Sequence, residues 1–256
     1  MVVLPSKEAV ASRAADIVSR LLAARPDAVL GLPTGETPRP FYAELVRRHR
    51  AGTLSFARAT TFNLDEYVGL PAGHPAAFRR YMQQALFRHV DVDPAHTHVP
   101  DGAAIDVAAA CAAYEAALAS AGGLDLVVLG VGLDGHVAFN EPTSSFASRT
   151  RLKTLSDPTR ASQASAFPGE DVPRHAITLG LGNILEARHC LLLASGAHKA
   201  PIVARLCEGP LTALVPASAL QLHRRATVLL DEEAARDLSL RDYYDLVQRH
   251  KPAWQN

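Results

Sequence analysis

An aspartate, a histidine and a glutamate occur within eight positions of one another in the middle of the chain, as Asp134, His136 and Glu141. They follow the apolar run 124–130, whose nearly continuous branched character is typical of a strand buried on both faces of a parallel sheet. Ligands of such sheets bind at the carboxyl ends of strands, so these side chains are candidates for acid and base chemistry. The alternative is structural, with Asp134 capping a turn and Glu141 in solvent.

A second pair of carboxylates, Asp65 and Glu66, follows the predicted strand 59–64. Neighbouring side chains of an extended strand point to opposite faces, so we expect one of the two to line the cleft and the other to be solvated or in a salt bridge. The inward one would be a general base whose pKa is raised by burial near Asp134 and Glu141. Such a group suits proton transfer between carbons at neutral pH.

A glycine- and threonine-rich turn, which includes Thr34, Gly35, Glu36 and Thr37, joins a predicted strand to a predicted helix over 37–50. Free backbone amides and the positive end of the helix dipole make such a turn a seat for an anion, and phosphate is the expected guest. The nucleotide-binding patterns GxxxxGK[ST] and GxGxxG are absent from this turn. The alternative is an ordinary turn, and Glu36 disfavours an anion unless its side chain points to solvent.

The elements that must position these residues alternate along the chain as helix and strand. Helices are predicted over 6–24, 37–50, 75–89, 106–120 and 197–207 and at the C-terminus, and strands over 28–32, 59–64, 124–130, 176–179, 190–193 and 226–230. Strands separated by helix-length connections imply one α/β domain, 1–256, built on a mostly parallel sheet covered by helices. The segment 151–180, whose centre is rich in proline, glycine and serine, is predicted to be an active-site lid.

The charge balance excludes several classes of partner. The chain has 256 residues, 48% of them hydrophobic, with 26 basic and 26 acidic side chains. This gives no basic excess for a nucleic acid or an anionic membrane, so we expect neither as a partner. The N-terminus lacks a signal-peptide pattern and there is no long apolar run, which favours a cytoplasmic location.

No disulfide or metal chemistry is expected. The three cysteines, Cys111, Cys190 and Cys207, are far apart and lack CxxC spacing, so we interpret them as small core residues in a reducing compartment. His96 and His98 have the spacing of two ligands on one strand face, but the sequence offers no evident third ligand.

Several segments together resemble the glucosamine-6-phosphate deaminase family, also known as glucosamine/galactosamine-6-phosphate isomerases. They occur in the family order and nearly the family spacing over almost the whole length. The fold that this resemblance implies is a modified doubly wound, mostly parallel α/β sheet with helices on both faces. The matching segments are LGLPTGETP at 30–38, TFNLDEYVGL at 61–70, GVGLDGHVAFNEP at 130–142, SRTRLKTL at 148–155, VPRHAITLGLG at 172–182, SGAHKA at 195–200 and ALQLH at 219–223.

The resemblance implies a reaction and a role for each residue in the cleft. Glucosamine 6-phosphate and water would become fructose 6-phosphate and ammonia. Asp65 would take the proton from C2 of the opened sugar and deliver it to C1. His136, oriented by Asp134 and Glu141 into one tautomer, would transfer the proton that opens the pyranose ring. Lys199 would bind the 6-phosphate together with the turn amides, and no metal or organic cofactor is implied.

The family also contains members that are regulated by N-acetylglucosamine 6-phosphate, bound between subunits. The resemblance therefore implies a homo-oligomer and a possible activator site in this chain. The positions that match the activator pattern are Ser144, Arg151, Lys153 and Thr154. The alternative is a solvated basic strand.

Three other functions stay open beside the deaminase. The same superfamily contains 6-phosphogluconolactonases, which also have a GxDGH-type segment but lack the Phe-Asn-Glu-Pro continuation found at 139–142. A deaminase of a different amino sugar is the second alternative. The third, a sugar-phosphate-binding regulator without catalysis, is disfavoured because every acid–base residue is present and no DNA-binding segment precedes residue 28.

The chain departs from the family pattern at two positions near the phosphate. Ser165 stands where a lid arginine commonly clamps the phosphate, and Glu36 stands where glycine or serine is more frequent. The loss of one arginine–phosphate contact weakens binding by about tenfold, unless Arg160 or Arg174 replaces it. We therefore expect a raised KM that Ser165→Arg lowers, and equal KM values for variant and parent would remove this explanation.

Overall fold

The computed structural model describes residues 1–71 and 73–252. The helices in these residues are α1 (Lys7–Ala24), α2 (Arg39–Arg50), α3 (Phe78–Ala85), α4 (Val107–Ser120), α5 (Asp157–Gln163), α6 (Leu181–Leu185), α7 (Ala200–Glu208) and α8 (Arg241–Arg249). The strands are β1 (Val2–Leu4), β2 (Val29–Leu32), β3 (Thr60–Asn63), β4 (Asp65–Tyr67), β5 (Thr97–His98), β6 (Leu126–Leu129), β7 (Arg151–Thr154), β8 (His175–Thr178), β9 (Cys190–Ala194) and β10 (Ala226–Asp231).

A seven-stranded parallel sheet forms the centre of the fold, with the strand order β1-β10-β9-β6-β2-β3-β5. From β2 the chain winds outward through β3 and β5, returns to β6, and then continues in the other direction through β9 and β10. The winding therefore reverses between β2 and β6. Crevices at such a reversal, outside the carboxyl ends of the strands, are where ligands of doubly wound sheets bind.

Both faces of this sheet are covered, as β6 demonstrates. Leu126 and Val128 pack with α1, α2 and α3 on one face, while Val127 and Leu129 pack with α4, α6 and α7 on the other. All four side chains are buried, which explains why the strand is apolar without alternation. The predicted doubly wound, mostly parallel sheet with helices on both faces is confirmed.

A second sheet was not expected from the sequence. Strands β4, β8 and β7 form an antiparallel sheet in the order β4-β8-β7. The segment 176–179, predicted as a strand of the parallel sheet, lies here instead. Leu64 alone separates β3 from β4, so β4 cannot pair in parallel with β3, because a parallel pairing needs a crossover of a dozen residues or more. Strand β4 therefore leaves the parallel sheet, and β8 pairs with it in the antiparallel direction. The small sheet carries Asp65 at the beginning of β4.

The helix boundaries agree with the predicted signals, with small shifts. Ser6 caps α1 by accepting a hydrogen bond from the amide of Ala9 at 3.2 Å. The helix predicted over 75–89 is divided at Leu86 into α3 and a single 3-10 turn. None of the helices in the described ranges is long and apolar enough to cross a membrane.

Candidate active site

The loop after β6 holds His136 against Asp134. The backbone amide of His136 donates a hydrogen bond to Oδ1 of Asp134 at 3.1 Å, and Nδ1 of the imidazole lies 2.7 Å from the same oxygen. The ring contact is close but not aligned as a regular hydrogen bond. Catalytic hydrogen bonds are often poorly aligned before substrate binds, so this geometry agrees with a role for the pair.

Two glycines allow this loop to close around the imidazole. A Cβ atom at Gly132 would overlap Cε1 of His136, so a larger residue there would displace the ring. Gly135 has a φ of +91°, which L side chains rarely adopt, and a Cβ there would meet Val215 at 2.7 Å. The glycines of the segment are therefore part of the site's geometry.

Glu141 completes the predicted group of three. Its buried carboxylate accepts hydrogen bonds from the backbone amide and the hydroxyl of Ser156, at 3.1 and 3.2 Å. Oxygen and nitrogen atoms of Asp134, His136 and Glu141 lie within 4.8 Å of one another. Burial acts to raise the pKa of Asp134. The contacts of its carboxylate with the ring and the backbone amide of His136, together with the charge of the ring, outweigh burial and lower that pKa to about 2. The carboxylate beside the imidazole is therefore ionised.

Imidazole and carboxylate atoms at this spacing could also hold a metal ion. The predicted absence of a metal from the site therefore stays a prediction. Within residues 1–71 and 73–252, the structure brings no third ligand to His96 and His98. The ring of His98 instead stacks on Phe62, with ring centroids 4.4 Å apart.

Asp65 is the carboxylate of the 65–66 pair that is available for chemistry. Its side chain is 6% exposed and accepts no hydrogen bond from the part of the chain that the structure describes. Burial, followed by the charge of Glu66, raises the pKa of Asp65 to about 8. The predicted rise is present, although its electrostatic part comes from Glu66 and not from Asp134 and Glu141.

Glu66 is not solvated and forms no salt bridge with any described residue, contrary to the prediction. Its buried carboxylate accepts hydrogen bonds from the backbone amides of Tyr67, Phe78 and Arg79, each at 2.9 Å. Phe78 and Arg79 open α3, whose first turn otherwise has no side-chain cap. The free amides of a helix terminus need acceptors, and Glu66 supplies them. It thereby fixes the strand that presents Asp65.

The small antiparallel sheet connects Asp65 to the His136 loop. Thr178 of β8 is the register partner of Asp65, and its Oγ1 accepts a hydrogen bond from the amide of Phe139 at 3.1 Å. The side-chain amide of Asn140 donates to the carbonyl of Leu179 at 2.8 Å. Neighbouring positions of β8 thus hold the segment that carries the imidazole and the glutamate beside the strand that carries the candidate base.

The glycine- and threonine-rich turn lies at the carboxyl end of β2, where the winding of the sheet reverses. Gly35 has a φ of +101°, and α2, which follows, begins without a side-chain cap. The side chain of Glu36 is 84% exposed and forms an ion pair with Arg39 at 2.8 Å. From the sequence, an anion is expected in this turn only if the side chain of Glu36 points to solvent, and its carboxylate is largely exposed.

Lys199 approaches the same end of the sheet from β9. Its ammonium donates a hydrogen bond to the carbonyl of Val131, in the loop after β6, at 2.7 Å. Burial lowers the pKa of Lys199, while the nearby charge of Asp134 acts to raise it. Since β2 and β9 flank β6, the turn and Lys199 stand on either side of the catalytic loop.

Residues 6–229 match the family model described as "Glucosamine-6-phosphate isomerases/6-phosphogluconolactonase". The chain belongs to this family.

Curated and solved members of the family resemble the whole chain. The glucosamine-6-phosphate deaminases of Pseudarthrobacter chlorophenolicus and Mycolicibacterium smegmatis are 53% and 52% identical over 100% of this chain and 98% of their own. A solved structure of a monomeric glucosamine-6-phosphate deaminase is 43% identical, covers 92% of this chain and 98% of its own, and superposes with a TM-score of 0.89. A 6-phosphogluconolactonase from Trypanosoma cruzi, at 22% identity, 93% and 96% coverage and a TM-score of 0.76, shares the fold.

The residues predicted for the activator of regulated family members lie on and beside β7. Arg151 donates to the side chains of Asn140 and Ser144, at 3.0 and 3.2 Å. Burial, and then the charge of Arg151, lowers the pKa of Lys153, which lies close enough to Glu141 to feel its charge. Strand alternation directs Thr154 to the face opposite Arg151 and Lys153. Three of the four residues therefore share a face.

The predicted lid, 151–180, begins and ends in sheet strands. Its ends are β7 and β8, and between them lie α5 and a 3-10 turn that contains the exposed Ser165. Ser156, whose hydroxyl and amide bind Glu141, is also the residue that caps α5. Ser156, Thr178 and Glu66 were missed as site residues because each acts through a pairing that the sequence does not display.

Proposed function

We propose that this chain converts glucosamine 6-phosphate and water to fructose 6-phosphate and ammonia. The observation that carries the proposal is the buried carboxylate of Asp65, which has no hydrogen-bond partner among residues 1–71 and 73–252 and is held by β8 beside a loop that pairs His136 with Asp134. Relatives that carry the deaminase name cover the full chain at about half identity, whereas two solved 6-phosphogluconolactonases share only 22% and 20% of its sequence. Both facts favour the deaminase over the lactonase.

Ring opening is the step that suits His136. Asp134 is ionised and touches Nδ1, which leaves Nε2 as the atom that exchanges a proton with the sugar. Glu141 stands beside the pair and is itself held by Ser156. The imidazole would move a proton between the anomeric hydroxyl and the ring oxygen, which opens the pyranose.

Isomerisation and loss of the amine are the steps that suit Asp65. A carboxylate with a pKa of about 8 exists in both protonation states near neutral pH, as a group that first accepts and then donates a proton must. Burial shields the transferred proton from bulk water. Asp65 would remove the proton from C2 and return it at C1, and water would then release ammonia from C2.

The phosphate would lie between the Thr34–Thr37 turn and Lys199. The turn offers Thr34, Gly35 and Thr37 at the beginning of α2, with the exposed carboxylate of Glu36 paired with Arg39, and Lys199 offers a partly buried ammonium across the end of β6. A phosphate bound there would align the sugar with Asp65 and His136 without itself taking part in proton transfer.

The test is ammonia release from three amino sugars, glucosamine 6-phosphate, galactosamine 6-phosphate and glucosamine, beside acid release from 6-phosphogluconolactone. We expect ammonia from glucosamine 6-phosphate, little from the unphosphorylated sugar, and no hydrolysis of the lactone. Preference for galactosamine 6-phosphate would leave the chemistry in place and change the substrate. Hydrolysis of the lactone without ammonia from any amino sugar would contradict the proposal.

Regulation by N-acetylglucosamine 6-phosphate, in a homo-oligomer, is the second part of the proposal. The supporting geometry is that Arg151 contacts Asn140 and that Lys153 lies near Glu141, so an anion on β7 would act directly on the catalytic segment. The test is a rate curve with and without the activator, at a subunit state measured by analytical ultracentrifugation. A hyperbolic curve that the activator leaves unchanged, or a monomer, would contradict this part.

The proposal also includes a lid, a cytoplasmic location and a reaction that needs no metal. Three free cysteines suit a reducing compartment, and α5, whose cap Ser156 binds Glu141, is the element that a lid motion would carry. Enzyme dialysed against EDTA should keep its full rate of ammonia release. A loss of rate that Zn²⁺ or Mn²⁺ restores would mean that Asp134, His136 and Glu141 bind a metal.

A further inference from the structure

Arg160 and Arg174, the two candidate replacements for the arginine missing at position 165, already bind other groups of the protein. Arg160 donates two hydrogen bonds to the carbonyl of Val172, at 2.9 and 2.7 Å, which ties α5 to the far end of the lid segment. Arg174 binds Asp157 at 3.0 Å. Arg160 is mostly buried in its contacts, whereas the guanidinium of Arg174 is held by an exposed pair and lies directly before β8, after α5.

Arg39 is the cation adjacent to the phosphate turn. It is the first residue of α2, three positions after Glu36, and its guanidinium binds that carboxylate at 2.8 Å. The same guanidinium lies 5.2 Å from the centre of the Tyr81 ring. The hydroxyl of Tyr81 donates to the carbonyl of Gly35 at 2.6 Å. The guanidinium of Arg39 thus packs on the face of an aromatic ring that is itself hydrogen-bonded to the turn.

A cavity of about 420 Å³ opens beside this group, between the turn after β2 and the segment after β9. Glu36, Thr37 and Arg39 line one side, Ser195 and His198, the neighbour of Lys199, line a second, and Lys7 and Val10 of α1 line a third. Hydroxyl groups thus face the cavity from both segments that the proposed function assigns to the phosphate, and Arg39 adds a guanidinium on the side of the turn. Pockets of this size and mixed polarity commonly bind small molecules.

The contact between Glu36 and Arg39 is easily exchanged. Both side chains are largely exposed, at 84% and 57%, and ion pairs in water contribute little to stability. A phosphate dianion offers two oxygens in the planar geometry that a guanidinium prefers. We propose, building on the proposed function, that Arg39 leaves Glu36 to bind the substrate phosphate and so supplies the cation that Ser165 does not.

Arg39→Ala and Glu36→Gln test this exchange, with Arg47→Ala as the matched control. Arg47 is 67% exposed and forms the same i,i+3 pair on α2 with Glu44, away from the turn. We expect Arg39→Ala to raise the KM for glucosamine 6-phosphate by about tenfold while kcat changes by less than about twofold. Glu36→Gln should lower KM, because the competing carboxylate is gone, and Arg39→Lys should recover part of the loss.

The Kd of inorganic phosphate, measured by titration calorimetry, gives a readout that does not depend on turnover. We expect it to rise in Arg39→Ala and to stay unchanged in Arg47→Ala. Equal KM and Kd values for these two variants would overturn the proposal, as would a fall in kcat with an unchanged Kd. If the parent enzyme releases no ammonia, the proposed function fails, while the calorimetry still decides whether Arg39 binds phosphate.

Discussion

At the scale of single residues, the main finding is that Asp65 and Glu66, adjacent and both buried, have different tasks. Glu66 accepts three backbone amides and stabilises the beginning of α3, whereas Asp65 has no such acceptor role in the described residues. The carboxylate without partners bears the full cost of desolvation, and its pKa is raised to about 8. The same burial that makes Asp65 a useful base also makes it a source of instability.

The stability of the protein should therefore depend on pH through Asp65. A raised pKa means that the folded state binds the proton more tightly than the unfolded state. The free energy of unfolding consequently falls as the pH rises from about 4 to about 8, by at most about 1.4 kcal/mol for each pH step of one in that interval. Asp65→Asn cannot ionise and should be more stable than the parent at pH 8.

Urea denaturation at pH 5 and pH 8 measures this difference. The advantage of Asp65→Asn over the parent should be larger at pH 8 than at pH 5. An advantage that does not change between the two pH values would mean that Asp65 titrates normally and that its carboxylate is not desolvated.

At the scale of elements, helix α5 and the proposed catalytic residue Glu141 are connected through one residue. Ser156 caps α5 and also donates its amide and hydroxyl to Glu141. Ser156→Ala should remove about 1 kcal/mol from the helix and lower kcat, because Glu141 loses one donor. Hydrogen exchange of the amides in 157–163, together with kcat, measures both effects.

Ser6→Ala is the matched control for this variant. Ser6 caps α1 by accepting from Ala9, and it has no contact with Glu141 among the described residues. The Ser6→Ala variant should lose about as much stability as Ser156→Ala while its kcat stays equal to that of the parent. Equal kcat values in Ser156→Ala and Ser6→Ala would contradict a link between the cap of α5 and the catalytic glutamate.

The elements could be predicted from the sequence where periodicity marks them. Strand β6 and helices α1 and α2 lie where their patterns predict, because each buries a regular face. Strand β4 was not predicted, and β7 was predicted only as a solvated basic strand, the alternative to an activator site, since three or four residues give too short a pattern. Their pairing with β8 depends on contacts between distant segments. The clustering of Asp134, His136 and Glu141 was predictable because these residues are close in sequence, whereas the support from Thr178 and Glu66 was not.

At the scale of the whole molecule, the central sheet separates two apolar layers. The loop that contains His136 follows β6, a strand buried between these layers. Leu126 and Leu129 lie on opposite faces of β6 and are both fully buried. Leu126→Ala and Leu129→Ala should each reduce the free energy of unfolding by about 2 to 5 kcal/mol. Chemical denaturation measures both, and a negligible effect of either one would contradict burial on both faces.

The central claim is that Asp65 transfers protons between C2 and C1 of the opened sugar, and the kcat of Asp65→Asn in ammonia release at pH 8 tests it most directly. Loss of a positioned base lowers the rate by about 10²- to 10⁴-fold, and we expect a fall in this range in a variant whose thermal midpoint is not lowered. A folded Asp65→Asn variant that retains more than about a tenth of the parent kcat would contradict the account.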